Sequence, residues 1–216
     1  MTFRVAVVPV TPFQQNCAIL FDDETKEGAV FDPGGDVDRI MGAIEKAGVQ
    51  VTKIVLTHGH IDHAAGAMDL KERLGVELVG PHEDDAPLLS GLEEQARMFG
   101  VTEAVRNAVP DRWLSHGDTE TIAGVDFTVS HTPGHAPGHV VFHAETLGFA
   151  HVGDVLFRGS IGRTDLPRGD HETLLASIRD VCLQWPDETQ FLCGHGPDST
   201  IGEERATNPF LQGITA

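Results

Sequence analysis

The sequence has little that would place the protein in a membrane or on a nucleic acid. No apolar run approaches the roughly 18–20 residues that a membrane-spanning helix needs, so we expect no membrane partner. Only 15 Lys and Arg residues stand against 33 Asp and Glu, which gives a formal net charge of −18 at pH 7. Because nucleic-acid binding needs clustered cations that displace phosphate counterions, we expect no nucleic-acid partner either.

Cysteines and targeting signals are also scarce. The three cysteines, Cys17, Cys182 and Cys193, cannot all pair with one another and form no C-x-x-C motif. The opening MTFRVAVVPVTPFQQN lacks the basic region and the long apolar segment of a secretory signal peptide. Both observations are typical of a reduced, cytoplasmic compartment, which we therefore expect.

Strand and helix signals alternate along the first 80 residues. The pattern predicts strands at 3–10, 16–22 and 28–35, a helix at 36–48, a strand at 51–57, a helix at 62–75 and a strand at 76–80. Both helices are expected to end at a glycine. This alternation predicts an α/β protein whose helices cover the faces of its sheets.

Residues 81–112 interrupt the alternation. They are acidic, favour helix and carry no strand signal, so we expect a helix-rich excursion that could serve as a lid. Strand signals return between 120 and 157, and a helix at 171–185 and a strand at 189–193 follow. Because no linker or low-complexity segment divides the chain, we expect a single domain over residues 1–216.

The strongest chemical signal follows the strand at 51–57. LTHGHIDHAAG places His58, His60, Asp62 and His63 within six positions of a strand-to-helix turn. Neutral imidazole and carboxylate groups are ligands of zinc, and this spacing would let the first two residues serve one ion and the last two a second. The alternative is that the aspartate caps the helix and that the histidines are solvated. We favour the metal interpretation, because four ligand-type residues in six positions are an improbable coincidence.

Three later turns carry residues of the same types. In HTPGHAPGH, at 131–139, proline and glycine exclude a helix, so His135 and His139 are expected to have different roles. Asp154 ends an apolar strand, a common turn by itself but a place from which a carboxylate can bridge two ions. His195 lies between two glycines, which permit a close approach of the backbone.

These motifs and their order resemble those of the metallo-β-lactamase-fold hydrolases. The motifs are H-x-H-x-D-H at 58–63, TPGHAPGH at 132–139, GD at 153–154 and GHGP at 194–197. The likeness extends over nearly the whole chain. It implies a four-layer αββα sandwich, in which two mixed β-sheets are flanked by helices and the metals lie at one edge, on loops that follow strands.

The resemblance also implies a ligand set. The first metal would be held by His58, His60 and His135, the second by Asp62, His63 and His195, with Asp154 bridging the two. Asp62 and Asp154 are then the expected catalytic carboxylates, acting with a hydroxide between the ions. We expect two divalent ions, with zinc preferred and iron or manganese as alternatives, because His, Asp and water ligands accept all three.

Other polar residues are expected to have supporting roles. Asp32 and Thr57 resemble positions that hydrogen-bond the far side of a metal ligand, and His139 is expected to orient the site. Arg163 and Arg168 could contact an anionic substrate or form structural salt bridges, and both interpretations stay open. The remaining histidines are expected at strand ends, at the surface or in packing contacts: His82, His116, His131, His143, His151 and His171.

Two metal ions roughly 3.5–4 Å apart can share a water and lower its pKa toward neutrality, so we expect hydroxide attack on a carbonyl without a Ser or Cys nucleophile. Within the superfamily the chain most resembles small bacterial glyoxalase II-like proteins, through QARMFG, PDRWL, GRTDLPRGD and GHGPDSTIGEERATNPF. This resemblance implies a small acyl-thiol substrate of the S-lactoylglutathione kind. Larger glyoxalase II enzymes add a C-terminal helical region that supplies much of the glutathione pocket, so recognition of glutathione itself stays open.

The main alternative is an oxidoreductase similar to the persulfide dioxygenases, with one iron. GRTD at 162–165 resembles their loop, and a site of His58, His135 and Asp154 would suit non-haem iron(II). His139 argues against this alternative, because those enzymes tend to carry another residue there. A metal-stabilised binding protein would leave the open hydroxide site unexplained, and the missing signal peptide argues against a β-lactamase. The sequence does not indicate an oligomeric state.

Overall fold

Two β-sheets face each other in the computed structural model, which describes residues 2–214. The first sheet has five strands in the order of the chain: β1 (Phe3–Val10), β2 (Gln15–Asp22), β3 (Glu27–Phe31), β4 (Gln50–Val55) and β5 (Glu77–Val79). β1, β2 and β3 pair antiparallel, whereas β3, β4 and β5 are parallel. The parallel pairs require crossover helices, which are α1 (Val37–Ala47) between β3 and β4, and α2 (Ile61–Ala64) and α3 (Ala67–Leu74) between β4 and β5.

The excursion after β5 is helical only in its first half. It contains a 3-10 turn (Glu83–Asp85), α4 (Ala86–Leu89) and α5 (Leu92–Phe99). From residue 100 to residue 111 the chain forms no regular element and returns to the first sheet through a bridge between Val79 and Arg112.

The second sheet is built from the other half of the chain. Its strands are β6 (Thr119–Ile122), β7 (Val125–His131), β8 (Val140–Ala144), β9 (Phe149–Gly153), β12 (Gln190–Cys193) and β13 (Ser199–Thr200), in the order β13-β12-β9-β8-β7-β6. A small hairpin of β10 (Leu156–Phe157) and β11 (Ser160–Ile161) follows β9. β9 and β12 are parallel and are connected through α6 (His171–Asp180), and α7 (Ile201–Thr207) follows β13.

Three apolar layers hold these elements together. One lies between the sheets and includes Phe31 and Phe142, whose rings meet edge to face at 5.1 Å. A second packs the outer face of the first sheet against α1, α3 and α5, and a third packs the outer face of the second sheet against α6 and α7. Apolar side chains on both faces of β2 are buried accordingly. This arrangement confirms the predicted αββα sandwich.

The helix predicted over residues 62–75 is wrong in one respect. The chain forms two helices, and the break falls at Ala65 and Gly66. The Gly66 amide donates to the carbonyl of Pro33 at 2.8 Å, and a Cβ on this glycine would lie 2.7 Å from that carbonyl oxygen. A close contact with the loop after β3 therefore interrupts a segment whose local pattern favours one helix.

Helix α7 was not predicted, although the sequence carries a signal for it. Thr200 is the N-cap residue, and its hydroxyl accepts a hydrogen bond from the Glu203 amide at 3.2 Å. A threonine followed three residues later by glutamate is the pattern of a capping box. In the part of the chain from residue 2 to residue 214, no helix has both the length and the apolar character needed to cross a membrane.

Replacing Phe142 by alanine should remove a fully buried ring from the layer between the sheets. We expect a loss of about 3–5 kcal/mol in the free energy of unfolding, because such a truncation leaves a cavity that the sheets cannot close. Urea denaturation monitored by circular dichroism measures this loss. Phe210→Ala is the matched control, since that ring is 47% exposed, and an equal loss in both variants would contradict the assignment of the core.

Candidate metal centre

The ligand-type residues meet at one edge of the sandwich. They lie on α2 and on the loops after β4, β7, β9 and β12, with Asp32 on the loop after β3. In each sheet the parallel neighbours, β3 with β4 and β9 with β12, direct their carboxyl ends to the same edge. Because the two sheets are stacked face to face with these carboxyl ends at one edge of the sandwich, motifs up to 137 residues apart, from His58 to His195, come together.

Ligand atoms converge in three overlapping groups, in each of which they all lie within 4.8 Å of one another. The groups are His58, His60 and His135; His58, His63 and Asp154; and Asp62, His63 and His195. All seven residues predicted as ligands are therefore in one cluster.

Imidazole nitrogens face one another in the first group. His60 Nδ1 is 2.9 Å from His135 Nε2, which in turn is 3.3 Å from His58 Nε2. The three rings are at most 8% exposed. Nitrogens brought this close in a buried space are arranged to share a common partner, as the ligands of a metal ion do.

Asp154 lies between the first group and the third. Its Oδ1 is 3.3 Å from His63 Nε2, and its Oδ2 is 3.6 Å from both His135 Nε2 and His195 Nε2. His63 Nε2 and Asp154 Oδ1 are buried and have no hydrogen-bond partner. Because buried polar atoms are almost always satisfied, these two atoms fit a site that is completed by a cation. On the far side, Asp62 Oδ2 is 3.1 Å from His195 Nε2.

The tautomers of these histidines follow from their outer hydrogen bonds. His63 Nδ1 donates to Asp32 at 2.9 Å and His135 Nδ1 donates to the carbonyl of Arg163 at 2.8 Å. Thr57 donates its hydroxyl hydrogen to Asp32, so that His58 Nδ1 donates to the same hydroxyl at 3.0 Å. In all three rings Nδ1 carries a proton, and Nε2 is the nitrogen that faces the cluster.

His139 belongs to none of the three groups and contacts the site from beneath. Its Nε2 accepts a hydrogen bond from the Asp154 amide at 3.0 Å, and its ring stacks on His58 with centroids 4.7 Å apart. Gly153 adopts φ of 49°, and a Cβ there would lie 2.6 Å from His139 Nε2. The glycine of the GD motif thus allows the ring to support the aspartate.

The charges of the cluster favour a cation. Burial lowers the pKa of His58, His60 and His135, to about 3 for His60, so these rings are neutral at pH 7. Burial alone would raise the pKa of Asp62 and Asp154, but the positive field of His63 and His195 outweighs it and lowers both values. Neutral imidazoles and ionised carboxylates are the protonation states that a metal site needs.

His63 carries the opposite shift. Burial lowers its pKa, but the carboxylates of Asp154, Asp62 and Asp32 outweigh burial and raise the value well above that of a free imidazole. The same negative field that attracts a proton to this ring also attracts a divalent cation.

A cavity of about 380 Å³ opens onto the cluster. Its walls include the apolar side chains of Phe13, Ile61, Phe99, Phe157 and Leu166. A neighbouring cavity of about 490 Å³ shares Phe13, Ile61 and Phe99 with it. The ligand-type residues thus form the polar floor of a cavity that can receive a small molecule.

The sequence left open whether Arg163 and Arg168 bind substrate or form structural salt bridges. Arg163 lines the cavity, but its guanidinium binds both oxygens of Asp165 at 2.8 Å, and its carbonyl supports His135. This pairing favours the structural interpretation for that arginine. Arg168 adopts a left-handed φ of 73° in the loop before α6.

A further group of ligand types, His82, Asp84 and His131, lies outside the cluster. The two imidazoles stack nearly parallel, with centroids 4.1 Å apart, and His131 Nε2 donates to the carbonyl of Pro137 at 2.8 Å. Parallel rings with an occupied nitrogen do not aim their lone pairs at one point. His143 and His151 stack on Trp185 and Phe31 and make packing contacts.

Comparisons with known proteins agree with this geometry. The profile of the Metallo-beta-lactamase superfamily matches residues 10–195. The chain is 45% identical over 209 residues to the hydroxyacylglutathione hydrolase GloC of Haemophilus influenzae, which covers 96% of this chain and 98% of that protein. Two solved structures are each 36% identical: the BLEG-1 B3 metallo-beta-lactamase, with a TM-score of 0.89 over 97% of this chain and 100% of that one, and TTHA1623 in a di-iron-bound form, with a TM-score of 0.85 over 95% and 100%.

Removing divalent ions with a chelator should lower the melting temperature, and adding zinc back should restore it. A ligand that binds only the folded state at 100 times its Kd stabilises by roughly 2.7 kcal/mol, or roughly 5–10 °C for a chain of this size. Differential scanning fluorimetry measures the shift. His60→Gln should diminish it and His82→Gln should retain it, whereas loss of the shift in His82→Gln alone would place the stabilising ion elsewhere.

Proposed function

The chain belongs to the metallo-beta-lactamase superfamily, and from this premise we propose that it is a dinuclear metal-dependent hydrolase that cleaves the thioester of a small hydroxyacyl-thiol such as S-lactoylglutathione. The observation that carries the proposal is the middle group of ligand atoms, which contains Asp154 and shares His58 with the first group and His63 with the third. A cluster of this kind has room for two ions side by side, and two adjacent ions suit hydrolysis. The near full-length similarity to a hydroxyacylglutathione hydrolase supports the choice of bond.

The assignment of ligands is the one that the family resemblance implies, and the first and third groups of ligand atoms are compatible with it. We assign His58, His60 and His135 to the first ion, Asp62, His63 and His195 to the second, and Asp154 to both. When bound, two divalent ions would polarise the thioester carbonyl and lower the pKa of a shared water. Zinc is the proposed ion, and iron and manganese are its competitors, because nitrogen and oxygen ligands of this type accept all three.

The residues of the chain provide charge, orientation and an apolar enclosure. Asp62 and Asp154 are ionised and line the cavity, so they are placed to orient the water that attacks the carbonyl carbon. The proposal needs no side-chain nucleophile. Cys193 donates its thiol hydrogen to the His195 carbonyl at 3.0 Å, and burial raises the pKa of this thiol to about 12, so it is protonated at neutral pH.

The two neighbouring cavities have room for both halves of a small acyl-thiol. The space above the cluster is about 380 Å³ and its walls include Phe13, Phe99 and Phe157. The adjoining space of about 490 Å³ offers room for the thiol half of the substrate. The proposed partner is therefore a small acyl-thiol.

The second candidate is the mononuclear iron oxidoreductase similar to persulfide dioxygenases. Its support is the subset of His58, His135 and Asp154, which alone makes a site of two histidines and one carboxylate. The remaining group of Asp62, His63 and His195 favours the dinuclear hydrolase, because its ligand atoms also lie within 4.8 Å of one another.

Asp154→Ala should abolish thioester turnover and lower the metal content from two ions to one or none per chain. The carboxylate lies within 3.6 Å of three ligand nitrogens, and its loss should lower kcat/KM by at least about 100-fold. Elemental analysis and thioester absorbance measure the two effects. Asp180→Ala, an exposed aspartate on α6, is the matched control. Full activity with two ions in the Asp154 variant would refute the bridging role.

A paired assay should separate the candidate functions. Protein loaded with zinc, iron(II) or manganese is given S-lactoylglutathione in one arm and glutathione persulfide with an oxygen electrode in another, and a β-lactam is the third substrate. We expect thioester hydrolysis to exceed oxygen consumption and β-lactam cleavage in every loaded form. Faster oxygen consumption in the iron form, together with one ion per chain, would favour the dioxygenase instead.

A further inference from the structure

Asp85, in the excursion after β5, hydrogen-bonds two of the loops that carry the ligand-type residues, although it belongs to none of the ligand motifs. We propose that Asp85 is a positioning residue, which clamps the loop after β4 to the loop after β7 and so fixes His58 and His60 relative to His135. The inference rests on the proposed metal site but not on the identity of the substrate.

Each oxygen of Asp85 binds a different loop. Oδ2 accepts a hydrogen bond from the Gly59 amide at 2.7 Å, and Oδ1 accepts one from the Gly138 amide at 2.5 Å. Gly59 lies between His58 and His60, and Gly138 lies in the turn that begins at His135. One carboxylate therefore joins the backbones that carry all three ligands of the first proposed ion.

The absence of a side chain at Gly59 and Gly138 allows this close contact. A Cβ at Gly138 would lie 2.5 Å from the Asp85 amide nitrogen, and a Cβ at Gly59 would lie 2.8 Å from the Cβ of Leu88. The Gly138 carbonyl also accepts a hydrogen bond from the His82 amide at 3.0 Å. The turn that contains Asp85 packs against Gly138 and α4 packs against Gly59, so closely that neither glycine position has room for a Cβ.

A second residue of the excursion, Gln95, hydrogen-bonds the carbonyl of the same glycine, Gly59. Gln95, on α5, donates through Nε2 to the carbonyl of Gly59 at 3.2 Å and accepts through Oε1 from the Ile61 amide at 3.0 Å. The N–H and the C=O of Gly59 are therefore both bound by side chains from the excursion.

Burying the carboxylate of Asp85 costs free energy, because the charged group loses its contact with water. The side chain is fully buried, and burial raises the pKa of this carboxyl to about 7 although both backbone donors lower it. An apolar residue would avoid that cost, but it would leave the Gly59 and Gly138 amides without these acceptors. Residues 82–95 are accordingly a scaffold of the metal centre, and any lid movement is confined to the chain beyond α5.

The test compares Asp85→Asn with Asp84→Asn, which removes the same charge from the neighbouring exposed aspartate. An asparagine can accept from only one loop, since its NH₂ group faces the other amide. In Asp85→Asn we expect zinc affinity, measured by competition with a chromophoric chelator, to fall about 10–100-fold. The visible spectrum of the cobalt-loaded protein should also change. Asp84→Asn should stay within about twofold of the wild type and keep its cobalt spectrum.

Wild-type zinc affinity and an unchanged cobalt spectrum in folded Asp85→Asn would overturn the proposal. If that variant fails to fold, amide exchange in the wild-type protein decides: the Gly59 and Gly138 amides should exchange slowly by NMR, and rapid exchange at both would overturn the clamp. Wild-type protein that binds zinc tightly but hydrolyses no thioester would refute the proposed substrate and leave the clamp intact.

Discussion

One buried carboxylate sets the geometry on which the metal centre depends. Asp32 follows β3 with φ of 49°, a left-handed conformation that aspartate tolerates better than most residues. It accepts hydrogen bonds from the amide and hydroxyl of Thr57 and from Nδ1 of His63. Because β3 and β4 are parallel neighbours, this carboxylate joins the ends of two strands to the start of α2. It also determines, directly or through Thr57, that His58 and His63 present Nε2 to the cluster.

The same arrangement makes the edge of the sandwich depend on a cation. Asp32, Asp62 and Asp154 surround His63, and their negative charge raises the pKa of this buried imidazole. Charges removed from water must be paired or coordinate a metal. The fold therefore concentrates negative charge where the two sheets meet, and binding of divalent ions and stability of this edge are expected to be linked.

Local patterns were sufficient to predict an α/β protein and the four turns that carry the ligand-type residues, because each turn follows an apolar strand. The four-layer sandwich and the convergence of those turns on one site were predicted from the resemblance to the metallo-β-lactamase-fold hydrolases. The break at Gly66 and the roles of Asp85 and Gln95 depend on contacts between distant loops, which no local pattern reports. Asp85 lies in an acidic stretch of ordinary appearance, PHEDDAP, and only its burial between two glycines distinguishes it from Asp84.

Helix α5 both lines the cavities and supports the metal centre. Gln95 and Phe99 are one helical turn apart on α5: the first binds the peptide between His58 and His60, and the second lines both cavities. A fold does not determine its substrate, and relatives can change specificity by changing loops. Here, however, a shift of α5 that enlarged the cavity would also move the Gly59 peptide. The shape of the cavities is therefore expected to vary more readily through Phe13 and the chain beyond α5 than through α5 itself.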